Sequence, residues 1–235
     1  MKLKDPLISA IFVDRPNRFL TIININGKEY ESHLPDPGRL KELLLVGCKL
    51  WVRYEKNNSK RKTNYTTVFV EHKGQLISLI STLPNEFVKE SLITNSLPVY
   101  RKYKLIRPEV AIQNHRIDFL LENQSGDPFY LEVKSVTYVQ NGVAKFPDAV
   151  TRRGFLHLKL LQELVSKGHQ AGVLFVCQRQ DASSFRPMWE RDPNFSSALL
   201  EAYYKGLKIN CITLNISKSQ ITFNTEISLN LEKPD

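Results

Sequence analysis

Asp118, Glu132 and Lys134 are the residues of this chain whose types and spacing suit chemistry. They lie in RIDFLLENQSGDPFYLEVKSV, residues 116–136, inside two otherwise apolar, strand-like runs. On strand alternation Asp118 shares a face with Arg116 and Leu120, while Glu132 and Lys134 share a face with Tyr130 and Val136. Same-face neighbours on a strand stand roughly 7 Å apart, so Glu132 and Lys134 project side by side. A hairpin connection through 123–128 brings Asp118 close to Glu132. Two converging carboxylates repel each other and resist burial. A divalent cation removes both difficulties, and a few oxygen ligands suit magnesium or manganese. Lys134 would then neutralise a phosphate or position an attacking water, as metal-assisted cleavage of a phosphodiester requires. The same three residues would also serve as an ion-pair cluster on an exposed sheet face, the commoner meaning of so short a pattern.

The elements that must position these side chains are legible as an α+β, mixed arrangement. Residues 116–122 and 129–138 read as strands. Residues 149–167 read as a helix with Asp148 as its N-cap. Residues 171–178 are apolar on both faces and read as a fully buried strand. A second helix over 195–205, a strand over 207–216 and an edge over 221–227 complete a β-β-α-β-α-β order, which favours a central mixed sheet with helices packed on it. The first part reads differently. Strands over 19–25, 29–34, 49–54, 66–71 and 75–81, with hairpin signals at Asn26-Gly27 and Lys73-Gly74 and a short helix over 39–46, make about what an OB-like β-barrel needs. The expected division is a barrel domain over 1–82 and a second domain over 83–235, joined by a helical segment within 83–98.

The chain has 235 residues, 42% hydrophobic and 24% charged, so it can bury a real core. No apolar run approaches the ~18 residues of a membrane span, and no signal peptide is read at the start. The three cysteines, Cys48, Cys177 and Cys211, are widely spaced and form no C-x-x-C. That disfavours a disulfide framework and a zinc site and fits a cytoplasmic setting. The formal net charge of +9 points to a polyanionic partner, nucleic acid rather than a membrane surface.

D-x13-E-x-K, with the acid late in one strand and E-x-K inside the next, resembles the PD-(D/E)XK nuclease superfamily. Ile117 stands where that motif often has proline, and Pro147-Asp148 spells the dipeptide in the wrong place. Over the whole chain HLPDPG (33–38), SKRK (59–62), RPEV (107–110), RIDFLL (116–121), LEVKSVT (131–137) and FPDAVTRRGFLHL (146–158) resemble the sugar fermentation stimulation protein A family, SfsA. The resemblance implies an N-terminal OB-like domain, a nuclease-like C-terminal domain and DNA binding. It implies metal ligation by Asp118 and Glu132, with the Val133 carbonyl as a further ligand, and Lys134 orienting water or stabilising charge. Superfamily members often carry an upstream glutamate on a helix, and Glu109 is the candidate, as an outer metal or water ligand. Arg153 and His157, four apart on one helix face, become candidates for phosphate contact and proton transfer.

Cations mark a second region. Arg53, Lys56, Lys60, Arg61 and Lys62 surround a loop flanked by Tyr54 and Tyr65, which suits phosphate contacts with base stacking and equally a solvated hairpin tip. Arg39, after the PDPG turn, is a further candidate for phosphate. The expectation is a magnesium- or manganese-dependent nuclease acting on DNA, or on RNA. The alternative is a non-catalytic, regulatory DNA-binding protein on a nuclease fold, linked to sugar utilisation. No other cofactor site is indicated, and a homodimer is compatible.

Overall fold

The computed structural model describes residues 1–3, 6–56 and 62–234. Strands β1 (Leu7–Asn17), β2 (Leu20–Ile25), β3 (Lys28–His33), β4 (Lys49–Tyr54) and β5 (Tyr65–His72) run in the order β3-β2-β1-β4-β5, and a short parallel pairing of β3 with β5 closes the ring. This is a five-stranded OB barrel, whose closure removes its sheet edges. Strand β6 (Gln75–Ser78) extends β5 outside it. The two hairpin turns are where the sequence puts them. Asn26-Gly27 and Lys73-Gly74 take positive φ at both positions, 51° and 85°, then 50° and 75°, the conformation a two-residue hairpin demands. Ile23, Leu50, Val52 and Val70 fill the barrel, with Leu34, Leu40 and Leu43 packed into the same core.

Two expectations for this half are corrected. The fifth barrel strand is β1, which the sequence reading missed, and β6 lies outside the ring. β1 holds Asp14, Arg15 and Pro16, and two register shifts against β2 break its alternation. The expected helix over 39–46 is a series of turns. The Arg15 guanidinium donates to the carbonyls of Arg39 (2.6 Å), Gly38 (2.7 Å) and Asp36 (3.3 Å), and Leu40 has φ 51°. A side chain from β1 thus takes acceptors that a helix would use, and a left-handed leucine breaks the helical path.

The second half begins with α1 (Leu83–Ile93) and a 3-10 turn at Pro98–Tyr100. There follow β7 (Lys104–Ile112), β8 (His115–Glu122), β9 (Pro128–Val136), β10 (Val139–Gln140), β11 (Val143–Phe146), α2 (Arg152–Ser166), β12 (Gln170–Cys177), β13 (Ser184–Pro187), α3 (Pro193–Tyr204), β14 (Lys208–Ile216), β15 (Ile221–Glu226) and β16 (Ser228–Leu229). The main sheet has the order β15-β14-β12-β9-β8-β7, with β9, β12 and β14 parallel and the outer strands antiparallel. β12 is buried along nearly its whole length, as its two-faced apolar sequence demands. Helices α2 and α3 cover one face around Leu161, Phe175 and Phe195. Helix α1 covers the other around Phe87, Val88 and Leu131. Leu→Ala changes in such a core cost about 2–5 kcal/mol.

β7 was not expected, because Arg107, Pro108 and Glu109 obscure a strand that only an edge position tolerates. A small second sheet, β10-β11-β13-β16, also went unread. Met1 and Leu3 pack against the α1-side core, and the Leu3 amide donates to the Ser219 carbonyl (2.9 Å). No helix among the described residues is long and apolar enough to cross a membrane.

Candidate active site

The site forms where two paired strands separate. β8 and β9 are in register from Glu122↔Pro128 to Phe119↔Leu131, and the pairing stops there. The next residues towards the open end are Asp118 and Glu132. The Val133 amide, deprived of a β8 partner, donates to Asp118 Oδ2 at 2.8 Å. On its other side β9 stays paired with β12 from Phe129 to Val136. Glu132 and Lys134 are therefore held on a rigid central strand while Asp118 caps the gap.

Glu132 is 3% exposed. Its Oε1 accepts from Lys134 Nζ at 2.6 Å and lies 2.5 Å from His157 Nδ1. Its Oε2 is buried and has no partner. Burial pushes the Glu132 carboxyl up, but the His157 hydrogen bond and the Lys134 charge outweigh that and hold it below its ordinary value. Asp118 goes the other way. Burial, and then the Glu132 charge, push it up to about 6, against the opposing effects of the Val133 amide, Lys134 and a hydrogen bond from the Asn85 side chain on α1.

Helix α2 supplies the third wall. The expected N-cap, Asp148, is not the cap. Thr151 is, its hydroxyl accepting from the Gly154 amide at 3.1 Å. Thr151's own amide donates to Asp192 Oδ2 (2.8 Å), and Asp192 caps α3 through the Phe195 amide (3.0 Å). One carboxylate thus ties together the starts of both helices. Asp148 instead accepts from the Arg39 amide at 2.8 Å, a bond to the barrel half. With α2 fixed this way, His157 is buried against Glu132 and Arg153 stays exposed one turn earlier. Both line a pocket of about 620 Å³ together with Glu109, Asn114, His115, Arg116 and Asp118. The His115 ring stands edge-on to His157, centroids 5.6 Å apart.

Asp118, Glu132, Lys134, His157 and Arg153 are thus brought together. Glu109 reaches the same pocket from the edge strand β7, not from a helix, and its carboxylate accepts from Arg116 Nη1 at 2.7 Å. It has φ 57°. For a non-glycine residue the left-handed region costs about 1–2 kcal/mol, and an exposed ion pair returns about 0–1 kcal/mol. The helix upstream offers Asn85 in place of a glutamate. Sequence reasoning missed Asn85, Asn114, His115 and Arg116. The asparagines carry no pattern of their own, and His115 and Arg116 directly precede the motif and could have been found by their nearness to it.

The other basic candidates do not line this pocket. Arg53 pairs with Glu55 at 3.0 Å. Lys62 is exposed beside β5. Arg39 lines a separate cleft with Arg15, Arg18 and Lys41. Lys60 and Arg61 lie outside the described residues. Tyr54 and Tyr65 meet edge-on at 5.4 Å, and Tyr30 joins them at 5.3 Å.

The donor set can be tested for a divalent cation. Burial, and then the facing Glu132 charge, raise Asp118, and Glu132 keeps a buried oxygen without a partner. Val133 follows Glu132 on β9, and its amide is the one that holds Asp118. The carboxylate oxygens fit a hard divalent ion. Among the described residues no group of three or more His, Cys, Asp and Glu gathers for a metal, so the fit is to a site of two carboxylates.

Fold and site together define an OB barrel joined to a mixed-sheet domain with helices on both faces. Family models agree on both halves: the SfsA N-terminal OB domain matches residues 13–79, and the sugar fermentation stimulation protein RE domain matches residues 82–220. The sugar fermentation stimulation protein homologue of Clostridium tetani is 38% identical over 229 residues, covering 97% of this chain and 99% of that one. The Moorella thermoacetica homologue is 40% identical over 225 residues, 96% and 97% of the two chains. The solved structure of Pyrococcus furiosus SfsA in complex with Ca2+ superposes with a TM-score of 0.88 at 26% identity, covering 98% and 99% of the chains. The chain belongs to the sugar fermentation stimulation protein (SfsA) family.

Proposed function

We propose that the protein binds DNA and cleaves its phosphodiester bonds with a divalent metal, magnesium or manganese, RNA being a second possible substrate. The observation that carries this is the meeting of Asp118, Glu132 and Lys134 where β8 and β9 part, with one Glu132 oxygen buried and unmet. The related archaeal protein solved with Ca2+ supports a hard-cation site in the same fold. Asp118, the free Oε2 of Glu132 and the Val133 carbonyl would hold the ion. Bound there, it would supply Lewis-acid stabilisation of the developing phosphorane charge.

The chain's own groups divide the remaining work. Lys134, fixed on Glu132 Oε1, presents an ammonium that offsets negative charge and orients a water for attack. His157 fixes Oε1 of the Glu132 carboxylate and leaves Oε2 without a protein partner. Arg153, exposed at the pocket wall, contacts a phosphate of the bound strand. Glu109, expected as an outer ligand, gives its carboxylate to Arg116 instead. The barrel, with Lys62 and the Tyr54 ring exposed and Tyr30 and Tyr65 half-buried beside them, grips the strand by charge and stacking. This reading is tested by magnesium-dependent release of nucleotides from DNA and RNA. Lys134→Ala should lower the rate at least about a hundredfold; equal rates in the two proteins would remove the mechanism. A second reading, DNA binding without cleavage, is favoured by the absence of a third acidic or histidine ligand among the described residues. It wins if oligonucleotide binding survives Asp118→Ala unchanged and no metal is bound.

A further inference from the structure

Glu109 is an odd residue for its place. It sits in β7 between the pairs Pro108↔Phe119 and Val110↔Ile117, directly across from Asp118. There it adopts φ 57°, which glycine takes freely and glutamate does not. Among the described residues its polar partner is Arg116, and the two side chains are 59% and 66% exposed. A pair so open to water returns less than the backbone strain takes away, so stability alone does not account for a glutamate here. Strain of this kind is held at functional positions. The pocket supplies a reason. Arg116 and Arg153 line it, and the negative charge beside Arg116 is provided by the protein itself.

We propose that Glu109 is an anionic placeholder for a nucleic-acid phosphate. In the free protein its carboxylate holds Arg116 over the pocket. On binding, a non-bridging oxygen of a phosphate next to the scissile bond replaces it on the guanidinium. A phosphate accepts two parallel N–H bonds from arginine and carries its charge into a pocket that Arg153 also faces, so it is the better partner. The glutamate then acts as a threshold: a ligand must offer more to Arg116 than a single exposed carboxylate does. This rests on the nuclease reading of the pocket and adds to it a phosphate subsite and the residue that guards it.

The test is a double-mutant cycle, read by anisotropy of a fluorescein-labelled DNA oligonucleotide with EDTA present to prevent cleavage. Glu109→Gln should tighten binding about three- to tenfold, and Arg116→Gln should weaken it about fivefold. In the double variant the gain should vanish, leaving the affinity of Arg116→Gln alone. Glu109→Gly should tighten binding as the glutamine does and melt no lower than wild type, because glycine is unstrained there. Unchanged or weaker binding by both Glu109 variants, or a gain that persists without Arg116, overturns the placeholder while leaving the nuclease reading intact. A wild-type protein that binds no oligonucleotide overturns both.

Discussion

Asp118 and Asp36 are both pushed up to about 6, chiefly by burial, and each faces a second carboxylate: Glu132 beside Asp118, Asp148 beside Asp36. Their surroundings separate them. Asp36 Oδ1 accepts from the Gly38 amide (2.8 Å), Asp148 Oδ2 accepts from the Arg39 amide (2.8 Å), and Arg15 lies alongside. That pair clasps a turn of the barrel half to the segment before α2. At Asp118 the strands part, the pocket opens, and Glu132 is, among the described residues, the one carboxylate that keeps a buried oxygen without a partner. A displaced pKa alone therefore does not mark a site. The unmet oxygen and the open pocket do.

The comparison breaks first at Asp118→Asn. The loss of a ligand charge should lower cleavage at least about a hundredfold and abolish stabilisation by manganese, while the metal-free protein, relieved of a buried charge, should melt higher. A lower melting temperature without metal would make Asp118 an acid whose charge the fold needs, and not a metal ligand held at a cost. Gly38→Ala comes next. A Cβ there would lie 2.6 Å from Asp148 Oδ2 and 2.9 Å from Asp36 Oδ1. Denaturant unfolding should show a loss of about 1–3 kcal/mol with manganese binding unchanged; a matching loss of metal binding would mean that the two acid pairs are coupled.

The Asp36 charge gives a pH signature. Its carboxyl is near 6 when folded against 3.8 ordinarily, so the folded chain takes up the proton first as pH falls. The stabilisation this brings is complete below the ordinary value and disappears as pH rises through about 6. Asp36→Asn should therefore be more stable than wild type by about 3 kcal/mol at about pH 8, and most of that gap should close by about pH 4. An asparagine variant less stable at both pH values would show that the clasp depends on the charge. The smallest effect belongs to the barrel surface. Lys62→Ala should weaken oligonucleotide binding about twofold and flatten its salt dependence by less than about one unit of slope. An unchanged slope would remove Lys62 from the strand's path.

The sequence revealed the second half's core unevenly. The two-faced apolar run of β12 and the E-x-K strand β9 could be read because burial on a central strand leaves a direct imprint on residue type. β7 could not, since an edge strand tolerates the Arg107-Pro108-Glu109 run that argues against one. The missing helix at 39–46 depends on Arg15, far away in sequence, and local spacing contains no trace of that bond. Asp148 shows the same limit: its position before α2 suits a cap, yet its partner is the Arg39 amide across the molecule. Asp118, Glu132, Lys134, Arg153 and His157 could be chosen in advance because strand and helix periodicities place them on common faces and the family resemblance marks those faces; periodicity alone would equally fit a surface ion-pair cluster. Asn85 reaches Asp118 only through the packing of α1 on the sheet, which no periodicity announces.

The most direct test of the central claim is calorimetric titration of manganese into the wild-type protein and into Asp118→Ala. The geometry predicts about one ion per chain in the wild type and none in the variant, with both proteins folded. Equal binding by the two, or no binding by the wild type, would contradict a metal site built from Asp118 and Glu132.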